Sequence, residues 1–337
     1  MGESEGSPQP FGVIMTNLVI RGLNDDIEKN ELNVKANGGT EMMQRKLASL
    51  VNKDLYDQFQ IICSRVRDID KNKIPILWCH DTFNDPESQH LKHELNRNRF
   101  KQIVFVSNYQ FQTYHLGLGV PYNNSCVLKN AIDPIESHKK EKTDTLNLIY
   151  HTTPHRGLEI LVPVFEHLYD KHKGKIHLDV YSSFEAYGWP QRDKEYEPIF
   201  EMCRQHDGIT YHGFQENEVV REALKKAHIF AYPNIWPETS CIAAMEAMSA
   251  GVCIIAPNNA ALPETTANFA LMYQLNEDRN IHANTFASIL DQVITTYWND
   301  HMQQRLQLSK IYADSFYTWD VRKMEWENLL TSVKNMC

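Results

Sequence analysis

Two glutamates eight residues apart are the strongest candidates for chemistry in this chain. Glu238 follows a proline-bearing loop, and Glu246 follows it within the segment HIFAYPNIWPETSCIAAMEAMSAG. A helix over residues 239–250 would hold the two carboxylates about 12 Å apart along its axis. Each carboxylate can accept hydrogen bonds from a pair of hydroxyls. We therefore predict that one holds a sugar and the other a ribose, with a diphosphate between them.

The expected first turn of this helix suits an anion. Thr239, Ser240 and Cys241 have small side chains, and the first N–H groups of a helix have no partner inside the helix. The alternative interpretation is two unrelated glutamates on one helix, since such spacing is common. The surrounding strand, proline loop and second strand favour a ligand site over that alternative.

The elements around this segment alternate between strands and helices. Apolar runs predict strands over 13–20, 59–63, 74–79, 102–106, 146–150, 176–181, 228–232 and 252–256. Amphipathic patterns predict helices over 40–52, 86–96, 158–171, 216–226 and 239–250, one from Asn108, and mostly helix from Ile281 onward. Such alternation is typical of an α/β protein with mostly parallel sheets.

The chain divides at a charged segment. Residues 135–145, IESHKKEKTDT, have almost no apolar side chain and are predicted to be a linker. The predicted β/α halves are residues 15–134 and 146–315, facing each other across a cleft. Ligands of such sheets bind at the carboxyl ends of the strands. Residues 1–10 are polar, and residues 1–14 are predicted to be a tail or an expression remnant.

Bulk composition excludes several classes. The 337 residues are 42% hydrophobic and 23% charged, as in a soluble globular protein, and the formal net charge of -9 argues against nucleic acid as the partner. Seven cysteines without a Cys-x-x-Cys pair argue against a disulfide framework or a zinc site. No signal peptide or membrane-length apolar run is evident, so we expect a soluble, cytoplasmic protein.

Several further segments fall in the order found in one enzyme family. They are 37–41 (NGGTE), 106–108 (VSN), 129–133 (KNAID), 156–158 (RGL) and 211–214 (YHGF), together with Glu238 and Glu246. From about Asn17 to Leu330 the chain resembles glycosyltransferase family 4, with the two glutamates as its Glu-x7-Glu pair. The resemblance implies a GT-B fold, with two Rossmann-like domains. Residues 15–134 would bind the acceptor, 146–315 the nucleotide-sugar donor, and a final helix over 316–337 would pack back on the first domain.

The resemblance also implies residue roles. Glu238 would bind hydroxyls of the donor sugar and Glu246 the ribose diol. Arg156 would neutralise the diphosphate as it leaves, and His80 would line the reaction centre. Donor-binding positions would be Gly38, Gly39, Gly213, Thr239, Ser240, Cys241 and Glu246.

Each of the implied positions has a simpler interpretation. Gly38 and Gly39 could form a plain helix-entry turn, His80 could be a structural histidine, and Arg156 could be a solvated surface charge. The chain also departs from the family pattern. Tyr150 and His151 occupy the place of a second basic residue. At Cys241 a glycine is common, and at Ser240 an aromatic residue.

The implied activity is retaining transfer of a hexose from a nucleotide-diphosphate sugar. UDP-glucose is the first expectation for the donor and GDP-sugars the next, with no cofactor and no metal. The acceptor is left open among a glycan, a lipid-linked sugar, a protein or a modified nucleobase. The alternatives are another GT-B enzyme, such as a sugar-nucleotide epimerase, and a non-catalytic sugar-nucleotide-binding protein.

Two other features carry weaker expectations. Asp68-Ile69-Asp70 matches the Asp-x-Asp motif of metal-dependent transferases, but cations flank it and no apolar strand precedes it, so we predict a charged loop. The aromatic segment over 184–196 is predicted either to stack on a sugar or base or to be a surface loop held by its own aromatic side chains.

Overall fold

The computed structural model describes residues 38–336. The predicted tail over 1–14, the predicted strand over 13–20 and Asn37 lie outside the described residues. Within residues 38–336, every paired strand is parallel, and the strands form one sheet of four and one of six. The predicted α/β architecture with two parallel sheets is confirmed.

The first sheet has the order β1-β2-β3-β4. Its strands are β1 Phe59–Cys63, β2 Ile74–Cys79, β3 Gln102–Phe105 and β4 Ser125–Val127, and its helices are α1 Gly39–Leu50, α2 Lys53–Tyr56, α3 Glu94–Arg97 and α4 Asn108–Leu118. The segment predicted to be helical over 86–96 is helical in two parts. A 3-10 helix spans Pro86–Lys92, and His93, in extended conformation, separates it from α3.

The second sheet has the order β10-β9-β8-β5-β6-β7. Its strands are β5 Leu146–Tyr150, β6 Ile176–Val180, β7 Ile209–Tyr211, β8 Ile229–Ala231, β9 Cys253–Asn258 and β10 Leu271–Gln274. Its helices are α5 Leu158–Lys171, α6 Glu197–Gln205, α7 Asn217–Lys226, α8 Ile242–Ser249, α9 Leu262–Thr266, α10 Arg279–Thr296 and α11 Asp300–Phe316. Near-continuous apolar burial along β5, β8 and β9 fits a sheet covered on both faces.

The segment between the sheets is irregular but well anchored. The Ile135 N–H donates to Ser249 Oγ at 2.7 Å, and Lys310 Nζ donates to the Ile135 carbonyl at 2.6 Å. Lys140 Nζ donates to the carbonyls of Ala227 and Gly251, and burial lowers the pKa of this lysine to about 7. The charged segment is therefore fixed along the second half rather than loose between the halves.

The last helix, α12 Trp319–Met336, lies in the core of the first half. Trp326 is fully buried and its ring centroid lies 4.9 Å from that of Trp78 in β2. Leu330 and Val333 join the same cluster as Leu47 of α1. The i, i+4, i+7 spacing of these apolar residues explains why this helix buries one face.

None of the helices within residues 38–336 is long and apolar enough to cross a membrane. The six cysteines of this part of the chain are free thiols.

Candidate functional site

The site lies where carboxyl ends of strands from both sheets meet. His80 directly follows β2 of the first sheet. Its carbonyl accepts a hydrogen bond from Thr239 Oγ1, in the loop that follows β8 of the second sheet, at 2.6 Å. One hydrogen bond between sequence-predicted residues therefore joins the two halves.

The helix predicted to start at Thr239 starts later. It begins at Ile242 with Cys241 as its N-cap, so Thr239 and Ser240 belong to the preceding loop. The Glu238 carbonyl accepts from the Ala261 N–H at 3.0 Å, and the Thr239 hydroxyl is bound to the first half. These bonds hold the loop away from helical geometry, so Glu238 and Glu246 do not share one helix.

Two helix N-termini converge at this point. A Cβ atom added to Gly39, the first residue of α1, would lie 3.1 Å from Ile242 Cδ1, at the start of α8. The positive ends of both helix dipoles are therefore close together, which favours an anion between them. Burial raises the pKa of the Cys241 thiol, which keeps this residue neutral.

Gly38 lies under an aromatic ring from the other half. A Cβ atom added to Gly38 would lie 2.7 Å from Cδ1 of Tyr187, nearer than real Cβ contacts allow. Tyr187 belongs to the 3-10 helix Phe184–Tyr187 in the aromatic segment. Glu41 Oε2 would lie nearer still, at 2.6 Å, and the backbone at Gly38 has an ordinary φ of -66°, so close approach of these two side chains, rather than the turn itself, favours glycine here.

The aromatic segment divides between site and core. Tyr187 reaches the site, whereas Tyr196 is buried at 6% exposure in the core of the second half. Trp189 lies between Tyr187 and Arg192, with the Arg192 guanidinium 5.7 Å from its ring centroid. Part of the segment therefore packs into the core, as the second interpretation predicts, and stacking of Tyr187 on a sugar or base stays a prediction.

Arg156 is held by three side chains. Its Nε donates to Thr153 Oγ1 at 3.1 Å, Nη1 donates to Glu238 Oε1, and Nη2 donates to the Tyr187 hydroxyl at 3.1 Å. Burial alone would lower the pKa of Arg156, but the carboxylate of Glu238 raises it well above its usual range. The interpretation of Arg156 as a solvated surface charge is wrong, since its side chain is 17% exposed.

Glu238 is the buried partner of this cation. The residue is 4% exposed, and Oε1 also accepts from the Tyr232 hydroxyl at the end of β8. Because both bonds reach Oε1, the carboxylate keeps accepting capacity for a ligand hydroxyl. Tyr232 was not among the site residues predicted from the sequence. Its position at a strand end, six residues before Glu238, was the available signal.

Glu246 has a separate set of partners. Asn217 Nδ2 donates to its Oε1 at 3.2 Å, and Arg221 Nη1 donates to the same oxygen at 3.2 Å. Burial raises the pKa of Glu246, and Arg221 partly offsets that rise. Asn217 and Arg221 lie one turn apart on α7, and no motif in the sequence marked them.

Gly213 lies at the opposite edge of the second sheet, just after β7, and has a positive φ of 65°. The preceding His212 donates from Nε2 to Asp179 Oδ1 at 2.7 Å, and its ring stacks on Tyr181 with centroids 4.2 Å apart. This loop leads into α7, whose first residue, Asn217, contacts Glu246. Gly213 is therefore connected to the Glu246 end of the site and is distant in the sheet from Glu238.

Among the sequence-predicted site residues, two carry a buried polar atom that has no hydrogen-bond partner in the part of the chain that the structure describes. These atoms are His80 Nε2 and Ser240 Oγ. Burial lowers the pKa of His80 to about 3, so its ring is neutral near pH 7. The interpretation of His80 as a satisfied structural histidine does not fit an unpartnered ring nitrogen, and both atoms are suited to bind a polar ligand group.

The positions expected to hold a second basic residue carry no cation. The Tyr150 hydroxyl donates to the carbonyl of Thr153 at 2.9 Å, and the hydroxyl of the same threonine accepts from Arg156 Nε. Burial lowers the pKa of His151 to about 3, so this ring is also neutral.

The structure does not bring the Asp68-Ile69-Asp70 motif to the site. Gln60, near the start of β1, binds the Asp68 carbonyl at 2.9 Å and the Asp70 N–H at 2.8 Å. The motif therefore lies beside the amino ends of the strands, whereas His80 lies beyond a carboxyl end. Within residues 38–336, no three His, Cys, Asp or Glu side chains are grouped as metal ligands would be.

A substitution at Gly157 tests how closely the Arg156 turn packs against the Pro233 loop. Its φ is +124°, and an added Cβ would lie 2.2 Å from the Pro233 carbonyl oxygen. We expect Gly157→Ala to lower the free energy of unfolding by about 2 kcal/mol or more, because both strain and overlap must be relieved. Urea unfolding measures this change.

Gly251→Ala is the matched control for that variant. Gly251 also has a positive φ, of 60°, but nothing lies within 4 Å of its added Cβ. We expect it to cost only the backbone strain of about 1–2 kcal/mol. If Gly157→Ala were no more destabilised than Gly251→Ala, that result would contradict the close contact between the Arg156 turn and the Pro233 loop.

Comparisons with known proteins identify the family of this chain. The family model described as "Glycosyl transferases group 1" matches residues 131–305, slightly more than half of the 337-residue chain. The chain belongs to this glycosyltransferase family. No curated protein sequence matches the chain.

Solved structures define the fold class. A glycosyltransferase from Rickettsia africae is similar with a TM-score of 0.66 and 12% identity, over 90% of this chain and 84% of that one. Sucrose-phosphate synthase from Thermosynechococcus elongatus has a TM-score of 0.62 and 12% identity, over 79% and 69%. Anabaena Alr3699/HepE, solved in complex with UDP-glucose, has a TM-score of 0.60 and 15% identity, over 77% and 72%. The GT-B fold predicted from the sequence is confirmed.

Proposed function

We propose that this protein is a retaining, family 4 glycosyltransferase that moves a hexose from UDP-glucose, or next a GDP-sugar, to an acceptor without a metal. The observation that carries this proposal is the position of Arg156. It is bound to Glu238 and Tyr187 in the cleft that the converging starts of α1 and α8 border. A buried cation beside two helix N-termini suits a diphosphate, and a buried carboxylate beside that cation suits the attached sugar.

In the proposed chemistry, some residues stabilise the leaving group and others hold the sugar. The bond between the anomeric carbon and the phosphate oxygen breaks, the acceptor oxygen bonds to that carbon, and the acceptor proton passes to the diphosphate. Arg156 and the N–H groups near Gly39 and Ile242 stabilise the charge that develops on the leaving group. Glu238 holds sugar hydroxyls, and the unpartnered His80 Nε2 provides a neutral contact to the same sugar.

Glu246 is proposed to hold the ribose. Its bonds to Asn217 and Arg221 fix the carboxylate while leaving lone pairs for a diol, since two oxygens offer about four acceptor sites. Gly213 leads into the helix that carries both partners, and we propose that its loop binds the nucleotide of the donor at the same end.

Donor identity can be tested by thermal shift with UDP, GDP and ADP and their sugars. A ligand that binds only the folded state stabilises it by about 2.7 kcal/mol at a hundredfold excess over Kd. We expect UDP and UDP-glucose to give the largest shifts, with slow UDP release from UDP-glucose in the absence of acceptor. Binding without any hydrolysis or transfer would favour a non-catalytic sugar-nucleotide-binding protein.

Metal independence gives a separate prediction. Because Arg156 and the two helix N-termini supply the positive charge, we expect EDTA to leave transfer largely intact. The measurement is UDP release with and without EDTA. Loss of activity that Mn²⁺ restores would contradict this mechanism and would favour a metal site at Asp68 and Asp70.

A further inference from the structure

A small pocket lies between the two halves beside the proposed reaction centre. Residues 82–84, after β2, together with Tyr109 and Thr113 of α4, form its wall in the first half. Pro237 and Thr239, the two neighbours of Glu238, form its wall in the second half. Its volume of about 50 Å³ holds about four water-sized groups, which is enough for the hydroxyl-bearing edge of one ring.

The lining offers aromatic surface and hydroxyl oxygens. Phe83 is held in place by α4, since a Cβ at Gly117 would lie 2.5 Å from its ring. Thr113 donates its hydroxyl proton to the Gln110 carbonyl, and Thr239 donates to the His80 carbonyl. Their oxygen lone pairs remain available to accept from ligand hydroxyls. Aromatic faces with hydroxyl acceptors suit a sugar, which has C–H faces and an O–H rim.

The charges around the pocket disfavour an anionic ligand. The N–H groups of Asn108 and Tyr109, at the start of α4, donate to the Glu264 carboxylate at 3.0 and 3.1 Å. Lys129 Nζ lies 3.0 Å from the same carboxylate. The helix start and the cation that would otherwise attract a phosphate are thus bound to a carboxylate from the second half. Asp81, beside residues 82–84, adds negative charge above its pKa, which burial raises to about 6.

We propose that this pocket is the acceptor site and that it takes a neutral carbohydrate rather than a phosphorylated sugar. The inference rests on the proposed glycosyl transfer, because the pocket lies beside Glu238 and is shared by both halves. Tyr109 and Phe83 contact the faces of the acceptor ring, and Thr239 accepts from a hydroxyl close to the donor sugar.

The test compares acceptors and variants with UDP-glucose as donor. Acceptor-dependent UDP release is measured with methyl α-glucoside, methyl β-galactoside and maltose, and with glucose 6-phosphate and fructose 6-phosphate. We expect the neutral sugars to stimulate release and the phosphates not to. Tyr109→Ala should lower kcat/KM for the neutral acceptor by about 10-fold or more relative to its effect on acceptor-free hydrolysis, and Tyr109→Phe by under about 3-fold.

Tyr122→Ala is the matched control, because Tyr122 is 60% exposed in the same half and does not line the pocket. It should change neither rate. Preference for the sugar phosphates, no stimulation by any neutral sugar while donor hydrolysis persists, or equal loss of both rates in Tyr109→Ala would each overturn the inference. Wild-type protein that neither binds nor hydrolyses a nucleotide sugar would instead contradict the proposed function, and the acceptor site with it.

Discussion

Arg156→Ala is expected to lower kcat for transfer by about 100-fold or more. One electrostatic contact to charge that develops in the transition state contributes about 3 kcal/mol, and Arg156 is the buried cation proposed for that contact. The variant also leaves the Glu238 carboxylate buried without its cation, so its melting temperature should fall. Single-turnover transfer and thermal unfolding measure the two effects separately.

Arg221→Ala is the matched control for this experiment. Arg221 also donates to a buried glutamate, Glu246, but at the proposed ribose end. We expect a comparable loss of stability, a raised KM for the donor and a fall in kcat of under about 10-fold. Near-normal turnover of folded Arg156→Ala, or equal kcat losses in both variants, would remove Arg156 from the proposed chemistry.

Arg156→Lys tests the geometry of the cation at constant charge. The guanidinium makes three contacts at once, to Thr153, Glu238 and Tyr187, and an ammonium cannot match that planar arrangement. We expect its activity to lie between those of the wild type and Arg156→Ala.

Local pattern was sufficient for most of the fold. The strands Phe59–Cys63, Ile74–Cys79 and Leu146–Tyr150 and the helix Leu158–Lys171 were predicted with the same bounds that the structure has. In each of these segments the apolar residues follow a single strand or helix period, and turn residues flank the segment. Its secondary structure can therefore be predicted from residues close together in the sequence. The order of these elements along the chain then predicted two parallel sheets.

Contacts distant in sequence explain what the sequence analysis missed. The start of α8 at Ile242 depends on a hydrogen bond between Thr239 and His80, 159 residues apart. Arg156 was expected to bind a diphosphate, but its contacts with Tyr187 and Glu238 arise only when three loops of the second half meet. The period of a helix or strand carries no information about contacts between distant loops. The residue types of a site can therefore be predicted from the sequence more readily than the partners of those residues.

The two glutamates should differ in what their loss does. If Glu246 holds the ribose, it binds ground state and transition state alike, so Glu246→Gln should raise KM and Kd for the donor with little change in kcat. If Glu238 holds the transferred sugar while positive charge develops on it, Glu238→Gln should lower kcat and leave Kd for free UDP nearly unchanged. Free UDP carries a ribose but no sugar, which is why it separates the roles.

Stability does not confound this comparison, because the two sites are built alike. Each glutamate is about 95% buried and accepts from one arginine and one neutral donor, Tyr232 for Glu238 and Asn217 for Glu246. A glutamine at either position keeps an oxygen for these donors but leaves an arginine less well compensated, so both variants should lose similar stability. Calorimetric titration with UDP then decides the assignment. Equal loss of UDP affinity in both variants would show that the roles are not divided, and no loss in Glu246→Gln would place the ribose elsewhere.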